Sequence, residues 1–265
     1  MTFQPFVTAV MVTGKCPERL PLALAACESF RQQTYPRREL LIVNTGESLL
    51  PHLADCDWDF RRNPVRECIC DPQLTLGELR NVGLEESPDH VLQWDDDDWS
   101  HPDRMLYQVT AQGDSCEPVT LQNQVRYSFT NGAAFVVVQR PRPDYAVGIP
   151  GTVLLARTAY RYPAESRHED THFLKQFPRV RIAANRPELY LRFEHGRNTW
   201  SRRHVMQLYD GRSGQWDLPP DSADYLRHVL KEHYGTDPPL PAVAAGHRCP
   251  QSVGDAATPD PGNRL

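Results

Sequence analysis

The chain predicts an α/β protein: an open, mixed but mostly parallel sheet flanked by helices, with a short helical extension toward the C-terminal end. Three observations carry that reading. Short apolar runs alternate with amphipathic stretches through the first half of the chain, the order that yields parallel strands joined by crossover helices. The first of these runs is rich in β-branched residues, as a buried strand is. Polar and acidic residues collect where the runs end, and open α/β sheets bind ligands outside the carboxyl ends of their strands.

Each element follows from its residues. Phe6–Thr13 reads as the first buried strand. Pro17 opens a helix carrying Leu20, Leu24, Cys27 and Phe30 at helical spacing, which ends before Thr34-Tyr35-Pro36. Glu39–Asn44 is a second strand closed by Thr45-Gly46, and Arg66–Cys70 a short third. Leu74–Glu86 is a helix with Leu76, Leu79, Val82 and Leu84 on its apolar face, stopped by Ser87-Pro88. His90–Trp94 is the next strand, and it delivers Asp95–Asp98 at its end. Asn131-Gly132 between Gln124–Thr130 and Ala133–Gln139 signals a hairpin. Val153–Ala156, Val180–Ala184 and Leu189–Phe193 read as strands, Glu169–Gln176 and Ala223–His233 as helices. Residues 1–205 are expected to form the main domain, 206–236 the helical extension, and the Pro-rich 237–265 a loose tail.

Composition excludes several partners. The net charge is −5, and no Lys/Arg run exceeds two residues, so nucleic acid is not the expected partner. No stretch approaches the roughly 18 apolar residues of a membrane span. The seven cysteines are scattered and form no CxxC, which speaks against a zinc site and for reduced thiols. The strand-like start lacks a basic leader, so the expected location is cytoplasmic, at most peripheral to a membrane.

Asp95–Asp98 is the feature that composition leaves unexplained. Two carboxylates about 4 Å apart repel by roughly 1 kcal/mol in water and about 4 at a surface-like dielectric. Four in a row at the end of a strand need a cation. Hard divalent ions take oxygen ligands, and Mg²⁺ is typically held by one or two carboxylates together with substrate phosphates. A solvated acidic turn is the bland competitor.

In order, the motifs resemble those of the family-two glycosyltransferases of GT-A fold, over roughly Phe6 to Trp200. Gln33-Thr34-Tyr35-Pro36 resembles that family's punctuation before its second strand, and Leu40–Gly46 its nucleotide-contacting segment. Gly77, Arg80 and Asn81 match its G-x-x-x-A-R-N helix, with Leu79 where alanine is common. Trp94–Trp99 matches its metal loop, Gly151–Arg157 the segment under its acceptor site, and Glu169-Asp170 its E-D pair. Two departures stand out. Asn44-Thr45-Gly46 replaces the acidic second-strand loop, and Thr13-Gly14-Lys15-Cys16 is an atypical first-strand loop in which Lys15 could approach a diphosphate.

The resemblance implies transfer of a sugar from a nucleoside diphosphate, a UDP-sugar in the commonest case, to a hydroxyl on a glycan, lipid-linked oligosaccharide, protein or small molecule. It implies Asp170 as general base with Glu169 orienting it, and Mn²⁺ or Mg²⁺ on Asp97 or Asp98 with His195. It places Thr13, Asn44, Gly46, Arg80, Asp95, Asp96 and Trp99 around the nucleotide sugar, with Asp95 at the ribose or sugar and Asp96 least engaged. One of Arg192, Arg197, Arg202 and Arg203 would face the diphosphate, and Trp200 would flank the site. Two competing readings are a nucleotidyltransferase, which lacks its Gly-rich loop here, and a catalytically silent nucleotide- or metal-binding module of a glycan-assembly complex.

Overall fold

The computed structural model describes residues 4–14, 16–139, 147–196, 198, 215–216 and 218–236. Seven strands form the main sheet, in the order β10-β6-β9-β4-β1-β2-β3. They are β1 (Val7–Thr13), β2 (Arg38–Asn44), β3 (Val65–Ile69), β4 (His90–Asp95), β6 (Val119–Leu121), β9 (Ile149–Ala156) and β10 (Arg181–Ala183). The four strands from β4 to β3 are parallel, and β9 runs antiparallel to both β4 and β6. The α/β reading of the sequence therefore holds, with β9 supplying the mixed character.

Strand β1 lies inside the sheet between β4 and β2, and both its faces are apolar. Val7, Ala9 and Met11 enter one core with Phe30 of α1 (Leu20–Arg31), Leu53 of α2 (Leu50–Asp55) and Met105 of α4 (Arg104–Gln112). Val10 enters the opposite core with Leu79 and Leu84 of α3 (Leu76–Glu86) and Phe173 of α5 (Glu169–Leu174). One strand thus anchors two layers of helices, which is why its run carries so little polarity.

A second sheet of five strands, β12-β8-β7-β11-β5, was not anticipated. Its members are β5 (Trp99–Ser100), β7 (Asn123–Ser128), β8 (Ala134–Val138), β11 (Tyr190–Glu194) and β12 (Gln215–Trp216). β7 and β8 form the hairpin that Asn131-Gly132 signals. α6 (Pro220–Tyr234) buries Ala223, Leu226, Val229 and Leu230 in a core with Val125, Val136 and Phe193 of this sheet. Asp95 ends β4 in the first sheet and Trp99 opens β5 in the second, so the aspartate run is the turn that joins the two sheets. Among the described residues no helix is long and apolar enough to cross a membrane, and the described cysteines are all free thiols.

Candidate active site

A cleft of about 260 Å³ is lined from the carboxyl ends of β1 and β4. Thr13, Gly14 and Arg19 enter it after β1, Arg80 from α3, Asp95, Asp96 and Asp97 from the inter-sheet turn, Glu169 and Asp170 from α5, and Arg192 from β11. Segments far apart in sequence meet here because every parallel strand ends on the same side of the sheet.

The four aspartates have four environments. Asp96 accepts from the Thr13 hydroxyl at 2.7 Å and from Arg19. Asp97 Oδ2 receives Arg19 Nη2 at 2.9 Å, His195 Nε2 at 3.0 Å and Asn198 Nδ2 at 3.3 Å. Burial works to raise its pKa, but the His195 hydrogen bond and the Arg19 charge outweigh it and hold Asp97 below the usual range. Asp98 is buried, and its oxygens take the Tyr190 hydroxyl and the Phe193 backbone N–H. Burial, then the neighbouring Asp97 charge, push Asp98 up to about 8 and Asp96 up to about 7.

Tyr190 also lies 2.9 Å from Asp95 Oδ2. One hydroxyl proton cannot serve two carboxylates. The Tyr190 hydroxyl is within donating distance of both Asp98 and Asp95, and burial favours the protonated form of Asp98. Repulsion within the run is relieved by one held proton and one guanidinium.

Gly77, Arg80 and Asn81 act together on the segment that carries Glu169-Asp170. A Cβ on Gly77 would stand 1.8 Å from the Pro163 carbonyl oxygen, and the Gly77 N–H donates to Glu165 O at 2.8 Å. Asn81 exchanges two hydrogen bonds with the Tyr162 backbone, at 2.9 and 2.8 Å. Arg80 Nη1 reaches Glu169 and Gln93, each at 3.0 Å, and Nη2 lies 3.7 Å from Asp95. Burial alone would lower the Arg80 pKa, but Glu169 and Asp95 raise it, so the guanidinium is a fixed charge. These grips hold His168 in a left-handed conformation at φ +64°, a state that costs of order 1–3 kcal/mol unless its surroundings enforce it. Asp170 follows on the cleft side, accepting from the Thr171 N–H at 2.6 Å.

Several expected site residues lie elsewhere. Asn44 is fully buried and its amide is spent on Gly46 N, Glu47 O and Glu67. It shapes the turn, and Thr45 lines the cleft instead. Gly46 packs backbone to backbone under Gly14, where a Cβ would meet Gly14 O at 2.4 Å. Trp99 is a core residue: its indole N–H donates to the Tyr225 hydroxyl at 3.0 Å and its ring stacks on His233 at 4.2 Å. Asp98 faces β11 rather than the cleft, with its oxygens on the Tyr190 hydroxyl and the Phe193 N–H. Lys15, Arg197, Trp200, Arg202 and Arg203 fall outside the described residues.

Arg19 and Tyr190 escaped the sequence reading. A signal existed for Arg19, since the carboxylate run demanded a cation and Arg19 stands just past the first strand, beyond the atypical Lys15 loop.

The donor set fits a divalent ion shared with a substrate. Among the described residues no three His, Cys, Asp or Glu side chains converge to hold a metal alone. Asp97 Oδ2 and His195 Nε2 are 3.0 Å apart, close to the roughly 3 Å between adjacent ligands about 2.1 Å from an octahedral ion. Two protein ligands with the remaining positions open suit an ion that also takes phosphate oxygens.

No protein-family model and no curated protein sequence matches the chain. Solved structures do. S. aureus TarS residues 1–349 in complex with UDP-GlcNAc is similar over 86% of this chain and 72% of its own, with a TM-score of 0.52 at 12% identity. The mannosyltransferase PcManGT from Pyrobaculum calidifontis, in complex with GDP-Man and Mn²⁺, is similar over 88% of this chain and 72% of its own, with a TM-score of 0.50 at 14% identity. With the parallel core, the antiparallel β9 and the acidic turn between the sheets already in hand, the likeness settles the architecture: the chain has the GT-A glycosyltransferase fold.

Proposed function

We propose that the protein is an inverting glycosyltransferase that moves a sugar from a nucleoside diphosphate, UDP in the first instance, to a hydroxyl acceptor. The observation that carries the reading is that Asp170 and Asp97, from separate elements, line one cleft. The acceptor hydroxyl gives its proton to the Asp170 carboxylate as its oxygen bonds to the anomeric carbon. The bond from that carbon to the phosphate oxygen breaks, and its electron pair leaves with the diphosphate. A base on the face opposite the leaving group means one displacement and inversion. Glu169, tied to Arg80, positions Asp170 rather than taking the proton. Asp97 and His195 would hold Mn²⁺ or Mg²⁺, which when bound neutralises the departing diphosphate.

The UDP-GlcNAc complex of TarS supports UDP as the nucleotide, and the GDP-Man complex of PcManGT makes GDP its competitor. A glycan, lipid-linked oligosaccharide, protein or small metabolite can supply the hydroxyl, and a cytoplasmic location fits these acceptors.

Calorimetric titration of UDP and GDP, each with Mn²⁺ and with EDTA, tests the donor. Asp170→Asn tests the base: transfer should fall by roughly 10²–10⁴-fold with nucleotide affinity retained. Full turnover in that variant would remove Asp170 from the chemistry. Nucleotide binding without turnover in the wild type would identify a silent module.

A further inference from the structure

Arg19 holds the place where a metal and a nucleotide would meet. Its Nη2 bonds Asp96 and lies 2.9 Å from Asp97 Oδ2. That same oxygen faces His195 Nε2. An ion drawing on Asp97 Oδ2 and His195 Nε2 would therefore stand beside a guanidinium, a doubly charged cation against a singly charged one. Like charges at such distances repel strongly in a partly buried site. The Arg19 side chain is 22% exposed and reaches the cleft, while both carboxylates are buried more deeply. Arg19 is thus the more exposed partner of the cluster, and its buried Nε has no hydrogen-bond partner among the described residues to fix it.

A guanidinium presents several donors in a fixed fork and binds carboxylate and phosphate with the same geometry. The same Nη2 bonds both Asp96 and Asp97, so Asp96 is a second anchor and a change of partner at Asp97 need not release the side chain. We propose that Arg19 exchanges partners: it holds Asp97 while the cleft is empty, and turns to the donor's diphosphate when a divalent ion takes Asp97. Metal alone then meets an occupied carboxylate and an unbalanced charge. Metal with a diphosphate meets neither, because the phosphates draw Arg19 away and offset both cations. The ion and the nucleotide enter as a coupled pair. This inference rests on the nucleoside diphosphate reading of the cleft given above.

Mn²⁺ binding, followed by loss of the free-ion EPR signal, tests the exchange without any turnover. Wild type, Arg19→Met and Arg19→Lys are each titrated with Mn²⁺, alone and at saturating UDP, after circular dichroism confirms that each is folded. Coupling between sites typically spans about 5- to 150-fold in affinity. Wild type should bind Mn²⁺ weakly alone and at least about fivefold more tightly with UDP. Arg19→Met should bind Mn²⁺ alone more tightly than wild type by roughly tenfold and lose most of the UDP enhancement. Arg19→Lys, folded and still cationic, should fall between them. Equal Mn²⁺ affinity of wild type and Arg19→Met without nucleotide, or no Mn²⁺ binding by either, overturns the inference. Failure of the proposed function reads out separately, as a wild type that binds neither UDP nor GDP with metal or with EDTA.

Discussion

Asp98 shows how a single side chain can belong to a motif and yet not to its chemistry. Its two oxygens are taken by a hydroxyl and a backbone N–H from β11, and its carboxyl holds a proton to about 8. A neutral amide has the same pattern, one acceptor and one donor. Asp98→Asn should therefore fold and keep β11 pinned to the inter-sheet turn. The sign of its pH effect follows from linkage. The folded Asp98 binds a proton that the unfolded chain releases near pH 4, so wild-type stability falls as pH rises from about 4 toward 8. The asparagine variant escapes that loss. Urea denaturation in EDTA should show the variant gaining on wild type between pH 5.5 and 8; no such gain would mean that Asp98 is ionised in the fold across that range. A run of identical aspartates hides these differences, because what separates Asp97 from Asp98 is the partner each meets from β11 and the segment after it. Trp99 was opaque for the same reason, since adjacency to the acidic run gives no hint that the chain has already crossed into a second sheet.

Among the elements, legibility followed hydrophobic pattern. β1, β2 and β4 are buried on both faces and read directly as apolar runs. α4 went unseen because its buried face carries Arg104, Gln108 and Gln112, which breaks the apolar periodicity. Two of those polar groups are satisfied internally, Arg104 by Ser100 and the Gln93 carbonyl and Gln108 by the Thr152 carbonyl, while Gln112 donates to the Glu117 carbonyl and leaves its buried Oε1 unpartnered among the described residues. α3 was legible, but the use of its three motif residues was not. They all grip residues 162–169, so α3 positions the catalytic candidates without supplying one. Gly77→Ala tests this link. A Cβ 1.8 Å from a backbone oxygen forces the helix and the segment apart, and overpacking of this kind costs typically 1–3 kcal/mol. Denaturation should register a loss of about 2 kcal/mol, and sugar transfer should drop by more than nucleotide affinity does. An equal fall in both would mean that the glycine supports the whole cleft rather than the Asp170 side of it.

At the scale of the molecule, the chain passes between the two sheets more than once, at the acidic turn and again across Gln122 between β6 and β7, and packing holds the second sheet in place. α6 supplies Leu226, Val229 and Leu230, each at most 1% exposed, to the core that also receives Trp99 and Phe193. Burying each such side chain is worth roughly 1.5–3 kcal/mol, so α6 contributes about 5–9 kcal/mol as an upper bound. That is comparable with the whole net stability of a typical domain, about 5–15 kcal/mol. The sequence marks 206–236 as an extension because a helix beyond the last motif has no visible partner; the partner is a sheet whose strands are short and paired across long separations. Two truncations separate packing from appendage. A chain ending at Thr236 should keep its thermal midpoint within a few degrees of the full chain and retain nucleotide binding. A chain ending at Leu218 should lose α6, expose Trp99, Val125 and Phe193, and aggregate or unfold on purification. Since Trp99 follows Asp98 directly, loosening there also frees the turn that presents Asp97. A soluble, nucleotide-binding chain ending at Leu218 would show that the first sheet holds the aspartate turn unaided.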